Sequence, residues 1–396
     1  MTVASLSAAD RHAGAPAHPD LAGCEDVLRG KRILVLCPYP EGVAAGQRLK
    51  FEQYYDDWRR AGCEITVSPF MDRRLWDKLY IPGHHATKVA GVLKGHARRL
   101  RDMARIGEFD LVFVHMWVTP FGTTTLERVT RRRAASLVYD LEDNVLSAST
   151  DGQAENPNPI LGLLKGPEKA SFLSRAADHV IAASPFLADS IRPTNRRRAA
   201  TYISSSVDTD RFQPVNPYSN DKPVTIGWTG TFSSRVYLDL LRDVFRELAR
   251  RVPFKLKVIG NFDYELDGVD LEVVRWTAER EVSDLQTLDI GVYPLPVDDW
   301  VSGKSGLKAI QYMAFGLPCV ATDVGTTPMI IRDGDNGLLV RSQEEWLVAL
   351  ERLVRNPDLR RRLGRTARRD AVERYSLTAI AGHYRAVLCD ALKARP

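Results

Sequence analysis

A short run of small and basic residues at positions 303–308 has the composition of an anion site. It contains two glycines, a serine and two lysines, and it leads into a predicted helix that ends at a Gly-Leu-Pro turn. Backbone N–H groups of such a loop can approach an anion, and a helix N-terminus carries about half a positive charge. Lysines are unfavourable there unless an anion is bound, which favours a diphosphate site over a simple turn. The predicted site comprises Gly303, Lys304, Ser305, Gly306, Leu307 and Lys308.

Two other loops also join a predicted strand to a helix. In the loop at 227–235, we predict that Gly230, Thr231 and Arg235 contact phosphate oxygens, although small hydroxyl residues also cap helices. In the loop at 38–48, Gly46 and Arg48 are predicted to form an acceptor or phosphate loop. Its glycine spacing is not G-x-G-x-x-G, which disfavours a nicotinamide dinucleotide site.

Acidic residues and a histidine at strand ends are the candidates for handling a hydroxyl group. Asp140 and Asp143 follow the predicted strand at 136–139, and His115 ends the predicted strand at 111–115. A carboxylate there can position a hydroxyl or take its proton. Carboxylates after strands are also common as caps or solvated turns, and a strand-end histidine is often simply hydrogen-bonded, so both interpretations stay open.

The elements that position these residues alternate regularly. Short apolar runs and helical stretches follow one another along the chain, which is typical of parallel sheets covered by helices. The predicted strands are 33–37, 64–68, 111–115, 136–139 and 179–182, then 224–228, 254–259, 271–275, 290–293 and 319–321. The predicted helices include 48–61, 237–251, 306–315, 343–354 and 376–393. We therefore predict an α/β protein with two Rossmann-like, doubly wound domains facing a cleft, because such sheets bind ligands at their carboxyl ends.

The charge distribution is uneven. The formal net charge of +5 lies entirely within residues 1–200, where Lys and Arg form runs such as 131–133 and 196–198. Such runs are either solvated helix ends or contacts with an anionic surface. No helix-turn-helix, RNP or zinc-finger pattern accompanies them, so we expect no nucleic-acid partner.

Cysteine spacing and hydropathy bear on compartment and metal content. The five cysteines are scattered, with no C-x-x-C pair and no histidines at zinc spacing, which predicts a reducing compartment and no metal site. No apolar run approaches the roughly 20 residues that a membrane-spanning helix needs. The first 29 residues lack the pattern of a signal peptide. We expect a cytoplasmic protein.

The block KSGLKAIQYMAFGLPCVAT, followed by DVGTTPMIIRDGDNGLLV, resembles the donor-site region of the retaining GT-B glycosyltransferases of family 4. The segments VIAASPFLADSI, SSSVDTDRF, IGWTGTFSS and DLQTLDIGVYPL are similar to further parts of that family. The resemblance covers most of residues 31–390. It implies transfer of a sugar from a nucleotide-diphosphate sugar to an acceptor hydroxyl, with retention and without a required metal or other cofactor.

The chain departs from the usual family pattern at two glutamates. Gln311 stands where the second Glu is usual, and Gly303 stands where the first is usual. The side-chain carbonyl of Gln can accept a hydrogen bond from a ribose hydroxyl, as the Glu carboxylate does, but the Gln side chain carries no charge. Met329 replaces a third common Glu, so the sugar specificity of typical members is not transferred. The pattern G-K-x-G-x-K-x-x-Q-Y-M-A is similar to that of a subset of the family.

The resemblance assigns roles to the predicted parts of the chain. A flexible tail at 1–29 precedes an acceptor domain at 30–211, and a proline-containing linker at 212–223 leads to a nucleotide-sugar domain at 224–375. The final helix, within 376–396, can cross back to the first domain. A carbohydrate, lipid-linked or small-molecule acceptor is expected, with peripheral contact to an anionic membrane. A sugar-nucleotide epimerase and a catalytically inert binding subunit are the alternatives.

Overall fold

A computed structural model describes residues 19–142, 167–215, 223–298 and 300–394. Contacts divide the chain into an N-terminal unit, His18–Ser204 with Ile380–Pro396, and a C-terminal unit that contains Ser205–Ala379. Most of the predicted linker, residues 216–222, and most of the predicted tail, residues 1–18, lie outside the described residues.

The N-terminal unit is built on a six-stranded parallel sheet in the order β2-β1-β3-β4-β5-β6. Its central strands read as continuous apolar runs because helices cover both faces of the sheet. The order reverses between β1 and β3, which makes their carboxyl ends a topological switch point, where sheets of this kind bind ligands. The strands are β1 Arg32–Cys37, β2 Glu64–Pro69, β3 Leu111–His115, β4 Leu137–Leu141, β5 His179–Ala182 and β6 Ala200–Tyr202.

Helices of the N-terminal unit bury apolar residues against this sheet, including Met103, Leu173 and Leu187. The described helices before residue 205 are α1 Cys24–Leu28, α2 Ala45–Arg48, α3 Tyr55–Arg60, α4 Arg73–Leu79, α5 His85–Arg105, α6 Thr125–Arg133, α7 Pro167–Ala176 and α8 Pro185–Ile191.

The C-terminal unit contains a second six-stranded parallel sheet, in the order β12-β11-β10-β7-β8-β9. Here the order reverses between β7 and β10, so the switch point lies at the carboxyl ends of these two strands. The strands are β7 Val224–Gly230, β8 Phe254–Gly260, β9 Asp270–Arg275, β10 Ile290–Tyr293, β11 Cys319–Thr322 and β12 Gly337–Val340. The helices are α9 Arg235–Asp239, α10 Arg242–Arg251, α11 Glu281–Leu285, α12 Leu307–Ala314, α13 Thr327–Ile330, α14 Gln343–Arg355 and α15 Pro357–Tyr375.

The last helix, α16 Leu377–Lys393, joins the N-terminal unit from Ile380 onward. Its Tyr384 ring stacks against Tyr54 with the centroids 4.7 Å apart. Its Asp390 Oδ2 lies 2.7 Å from Nδ1 of His179, the first residue of β5. The helix therefore contributes core and polar contacts to the N-terminal unit.

Several predicted elements differ from those observed. The predicted helix at 48–61 is interrupted: α2 ends at Arg48, a 3-10 turn covers Glu52–Tyr54, and α3 begins at Tyr55. The predicted helix at 237–251 is interrupted between α9 and α10. Strands β6 and β12 have only three and four residues, and the apolar pattern missed them. Residues 24–28, placed in the flexible tail, instead form α1 with Cys24 and Leu28 buried.

None of the described helices is long and apolar enough to cross a bilayer. All five cysteines are buried thiols without disulfide partners. In the described ranges no three His, Cys, Asp or Glu residues cluster so as to hold a metal ion. The independence from metal stays a prediction.

Candidate functional site

The predicted anion loop lies directly before helix α12. A 3-10 turn covers Val301–Gly303, the chain is extended at Lys304, and Gly306 precedes the helix with φ of +73°. A Cβ at Gly306 would collide with Cδ1 of Ile330, so both the left-handed backbone and the close approach require glycine. No described side chain caps the N-terminus of α12. Its backbone N–H groups and dipole are thus directed at the loop.

The two predicted lysines of this loop lie over aromatic rings. The Lys308 Nζ is 5.7 Å from the ring centroids of both Trp228 and Tyr293. The Lys304 Nζ is 5.6 Å from the Tyr237 ring and 5.9 Å from the Trp300 ring. Since Trp228 lies in β7 and Tyr293 ends β10, Lys308 is held at the switch point of the sheet. Cation–π contacts of this kind orient the ammonium groups without neutralising them.

Tyr312 fastens helix α12 to the same two strands. Its hydroxyl accepts a hydrogen bond from the backbone N–H of Thr229 in β7 at 3.1 Å. Its ring lies against Gly291 of β10, where a Cβ would collide with it. Burial raises the pKa of Tyr312, so the phenol stays neutral. None of these aromatic residues was predicted to be part of the site, although Trp228, Tyr293 and Tyr312 belong to the quoted motifs.

Gln311 lies on α12 and is 5% exposed. Its side chain makes no hydrogen bond to the residues that the structure describes. Gly303 and Ser305 are buried, and Leu307 is half-buried. The structure therefore brings the predicted residues 303–311 together with the end of β7, while their contacts with a donor stay a prediction.

The segment after β11 supports the loop from the other side. Gly325, with φ of +58°, approaches the loop so closely that a Cβ would lie 2.9 Å from the Val301 carbonyl oxygen. The Thr326 hydroxyl donates to the Lys304 carbonyl. At the end of the strand itself, the Leu295 N–H donates to Oγ1 of Thr322 at 3.0 Å. The DVGTTP motif thus positions the lysine loop.

The loop after β7 is stabilised by its own side chains. Thr231 and Ser234 form a capping box at the 3-10 turn Phe232–Ser234, and Nε of Arg235 lies 3.8 Å from Asp239. A Cβ at Gly230 would collide with the Trp228 ring, so the close packing of that ring requires glycine there. Capping, the open alternative for Thr231, is present in the structure. Contacts of Gly230, Thr231 and Arg235 with phosphate stay a prediction.

The predicted catalytic residues His115 and Asp140 form a buried cluster with Lys50. Asp140 Oδ2 lies 2.6 Å from Nδ1 of His115, and Oδ1 lies 2.6 Å from Nζ of Lys50. Burial by itself would raise the pKa of the Asp140 carboxyl, but the Lys50 ammonium and the His115 hydrogen bond outweigh it and lower that pKa. All three side chains are at most 2% exposed. Asp140 is thus an internal counter-ion, and direct contact with an acceptor would need the cluster to open.

The loop between β1 and α2 lies close to the end of β4. A Cβ at Gly46 would collide with the Glu142 carboxylate. The Gln47 side chain donates to Glu52, which also accepts from the Gly42 N–H at 2.9 Å. Arg48 ends α2 and is half-buried. Asp143, the remaining predicted catalytic residue, lies outside the described residues.

Residues 223–356 match the family model described as glycosyl transferases group 1. Over 131 residues the chain is 32% identical to a D-inositol 3-phosphate glycosyltransferase of Corynebacterium kroppenstedtii; the match covers 33% of this chain and only 28% of that protein. The full-length comparisons are structural. A sucrose-phosphate synthase from Thermosynechococcus elongatus superposes with a TM-score of 0.65 at 17% identity, covering 89% of this chain and 97% of that one.

Anabaena Alr3699/HepE, solved in complex with UDP-glucose, superposes with a TM-score of 0.59 at 16% identity, covering 90% of this chain and 99% of that one. At these identities the structural likeness concerns the fold. The segment matched by the family model contains the lysine loop and α12. The chain therefore has the GT-B fold of these solved structures, and its residues 223–356 match the glycosyl transferases group 1 family.

Proposed function

We propose that this protein transfers a sugar from a nucleotide-diphosphate sugar to an acceptor hydroxyl, with the donor held by its C-terminal unit. The observation that carries the proposal is the position of Lys304 and Lys308. Both ammonium groups are held by aromatic rings, and Lys308 lies at the switch point between β7 and β10. The uncapped N-terminus of α12 adds its dipole at the same edge of the sheet.

The proposed chemistry follows from these charges. The bond between the anomeric carbon and the diphosphate oxygen breaks, with its electron pair going to the diphosphate. A new bond to the acceptor oxygen forms, and the proton of the acceptor hydroxyl passes to the leaving diphosphate. Negative charge grows on the leaving diphosphate, where Lys304, Lys308 and the backbone of the Gly230 loop would stabilise it. Retention at the anomeric carbon is proposed from the family resemblance. Because two lysines and a helix N-terminus supply the positive charge, we propose that no metal is needed.

The nucleoside would lie beyond the diphosphate, against α12. We propose that the Gln311 amide oxygen accepts a hydrogen bond from a ribose hydroxyl, since the side chain has no hydrogen-bond partner among the described residues. Uracil is the first base to test, because HepE was solved with UDP-glucose.

The acceptor is assigned to the N-terminal unit. We propose that Gly46 and Arg48 line its side of the site, at the end of strand β1. His115 and Asp140 are proposed to position this edge of the sheet, because both side chains are buried together with Lys50. Carbohydrate, lipid-linked and small-molecule acceptors all present the required hydroxyl. A lipid-linked acceptor would bring this protein to an anionic membrane from the cytoplasm.

The deciding experiment incubates the purified protein with a panel of nucleotide sugars and measures released nucleoside diphosphate, with and without an acceptor extract. A transferase releases the diphosphate faster when acceptor is present. An epimerase instead converts the donor into its isomer without acceptor, and an inert subunit binds the nucleotide without turnover. The same assay with a chelator tests the metal independence. No binding of any nucleotide, measured by calorimetry, would contradict the proposal.

A further inference from the structure

Helix α5 presents an apolar stripe on the surface of the N-terminal unit. The exposed fractions of Val89, Leu93 and Leu100 are 60%, 64% and 61%. At 100° per residue these three side chains fall within about 40° of one another around the helix axis. The exposed alanines 86, 90, 97 and 104 lie beside them, at about 60° to 100° from Val89 around the axis. These seven residues are called the α5 stripe.

The rotation of α5 is determined by its opposite face, so the stripe cannot turn inward. Gly91 and Gly95 pack so closely that a Cβ would lie 2.9 Å from Leu75 at the first and 2.6 Å from Phe70 at the second. Arg99 is fully buried and donates to the carbonyl oxygens of Val118 and Cys37 at 2.7 and 2.9 Å. Turning the helix would break these contacts. Leu93 and its neighbours are therefore held outward.

Positive charge borders the stripe. Lys94 and Arg101 are exposed, and neither makes an ion pair or hydrogen bond within the described residues. They project at about 60° to 80° around the axis from Ala86, next to the apolar sector. The one acidic residue of the helix, Asp102, is 14% exposed and paired with Arg99 at 3.0 Å. The exposed surface of α5 is thus apolar and cationic, without a competing carboxylate.

We propose that the α5 stripe docks on an anionic lipid bilayer, with its leucines and valine in the headgroup boundary and with Lys94 and Arg101 on lipid phosphates. Amphipathic helices with this pairing of faces lie in the bilayer interface. A second copy of this chain would bring like charges together, which disfavours self-association as the alternative. The inference rests on the proposed lipid-linked acceptor, and it adds the surface that would bring the enzyme to it.

The first test places an environment-sensitive fluorophore on the stripe. Since all five native cysteines are buried, Leu93→Cys labels selectively, and Val348→Cys, 56% exposed on α14, is the matched control. The full-length proteins are mixed with vesicles of phosphatidylcholine alone or with added phosphatidylglycerol. A blue shift at position 93 with anionic vesicles only is expected. No shift there, or an equal shift at position 348, would overturn the proposal.

The second test removes charge. Lys94→Gln with Arg101→Gln should weaken sedimentation with anionic vesicles roughly 25-fold, about fivefold for each cation, and salt should have the same effect on the native protein. The control, Arg365→Gln with Arg369→Gln, removes two exposed arginines from α15 and should bind like the native protein. Equal loss in both would contradict a specific surface.

Size-exclusion chromatography of the native protein and of a Val89→Ser, Leu93→Ser, Leu100→Ser variant separates the remaining alternative. Identical elution supports a lipid-facing stripe, whereas a dimer that the substitutions dissociate would overturn it. Calorimetry with UDP on the same variant distinguishes the two proposals. If the variant loses vesicle binding but keeps its affinity for UDP, the stripe acts in membrane binding and not in nucleotide binding.

Discussion

Nζ of Lys50 lies 2.6 Å from Oδ1 of Asp140, and the two side chains are 2% and 0% exposed. His115 contacts the other carboxylate oxygen, so both oxygens of Asp140 have a partner, and the two partners come from different parts of the chain. A buried carboxylate that loses its cation is strongly destabilised, because neither water nor another charge replaces the partner.

Lys50→Met should therefore lower the free energy of unfolding by about 3 to 5 kcal/mol at pH 7. Urea denaturation measures this loss. The control Lys31→Met removes a lysine that lies 3.8 Å from Asp110 with 34% of its side chain exposed, and it should cost less than about 1 kcal/mol. Similar losses in the two variants would contradict the assigned importance of the buried pair.

The loss caused by Lys50→Met should depend on pH. In the native protein the pKa of Asp140 is lowered, so its ionised carboxylate stabilises the folded state. This stabilisation is fully present at a pH above the pKa of the unfolded chain, about 3.9, and it is lost as the pH falls through the lower pKa of the folded state. Without Lys50, the loss of hydration that raises the pKa of Asp140 is opposed only by the His115 hydrogen bond. The folded variant therefore favours a protonated Asp140. The difference in unfolding free energy should narrow as the pH is lowered below about 5. A constant difference would exclude Asp140 as its source.

Lys308→Met should weaken UDP binding about tenfold or more, because a charge-assisted hydrogen bond is worth about 1.5 to 3 kcal/mol. Methionine keeps an unbranched stem next to Trp228 and Tyr293, so the change isolates the charge. Isothermal titration calorimetry gives the affinity. Lys255→Met, which removes a half-exposed lysine of β8, should leave it unchanged. Unaltered affinity in the Lys308 variant would remove this residue from the donor site.

Gln311→Ala should bind UDP several-fold more weakly, since it deletes the proposed acceptor of a ribose hydroxyl. Gln311→Glu is expected to bind comparably, because a carboxylate accepts the same bond more strongly but repels the diphosphate. Calorimetry with UDP and with its 2′-deoxy analogue resolves the contact. The native protein should discriminate between the two nucleotides more than the Ala variant. Equal affinities in all three proteins would show that Gln311 does not contact the ribose.

Gly306→Ala should destabilise the protein more than Gly334→Ala, although the two glycines have nearly the same φ, +73° and +74°. Both alanines would incur the left-handed backbone cost of about 1 to 2 kcal/mol. Only the first would also collide with Ile330, since no atom lies within 4 Å of a Cβ at Gly334. Urea denaturation compares the two variants.

Adding Ile330→Val, which removes the colliding Cδ1, should recover part of the Gly306→Ala loss. Because Gly306 immediately precedes α12, its alanine variant should also bind UDP more weakly, whereas Gly334→Ala should not. Equal destabilisation by the two alanines would mean that the loop moves freely away from Ile330.

The amino-acid sequence by itself determined most of the sheet strands and the order of the two units. Strands such as Ile290–Tyr293 and His179–Ala182 were predicted with the bounds that the structure has. Both faces of these strands are buried, so each appears as an uninterrupted apolar run. The glycines and lysines at 303–308 were equally visible, because a loop before a helix has local chemistry that its own residues define.

Tertiary structure alone decided which residues meet. Thr229 and Tyr312, 83 positions apart, are joined by a hydrogen bond. The ammonium group of Lys308 lies near aromatic rings from two different strands. Neither composition nor periodicity predicts these contacts. The residues around Asp140 in the sequence are compatible with a solvated carboxylate and with a buried one. Only the structure shows that it is paired with Lys50. Helical periodicity likewise left the rotation of α5 open, and packing of Gly95 against Phe70 decided it. Local sequence limits the backbone to a few conformations, whereas burial and charge pairing depend on neighbours that only folding brings together.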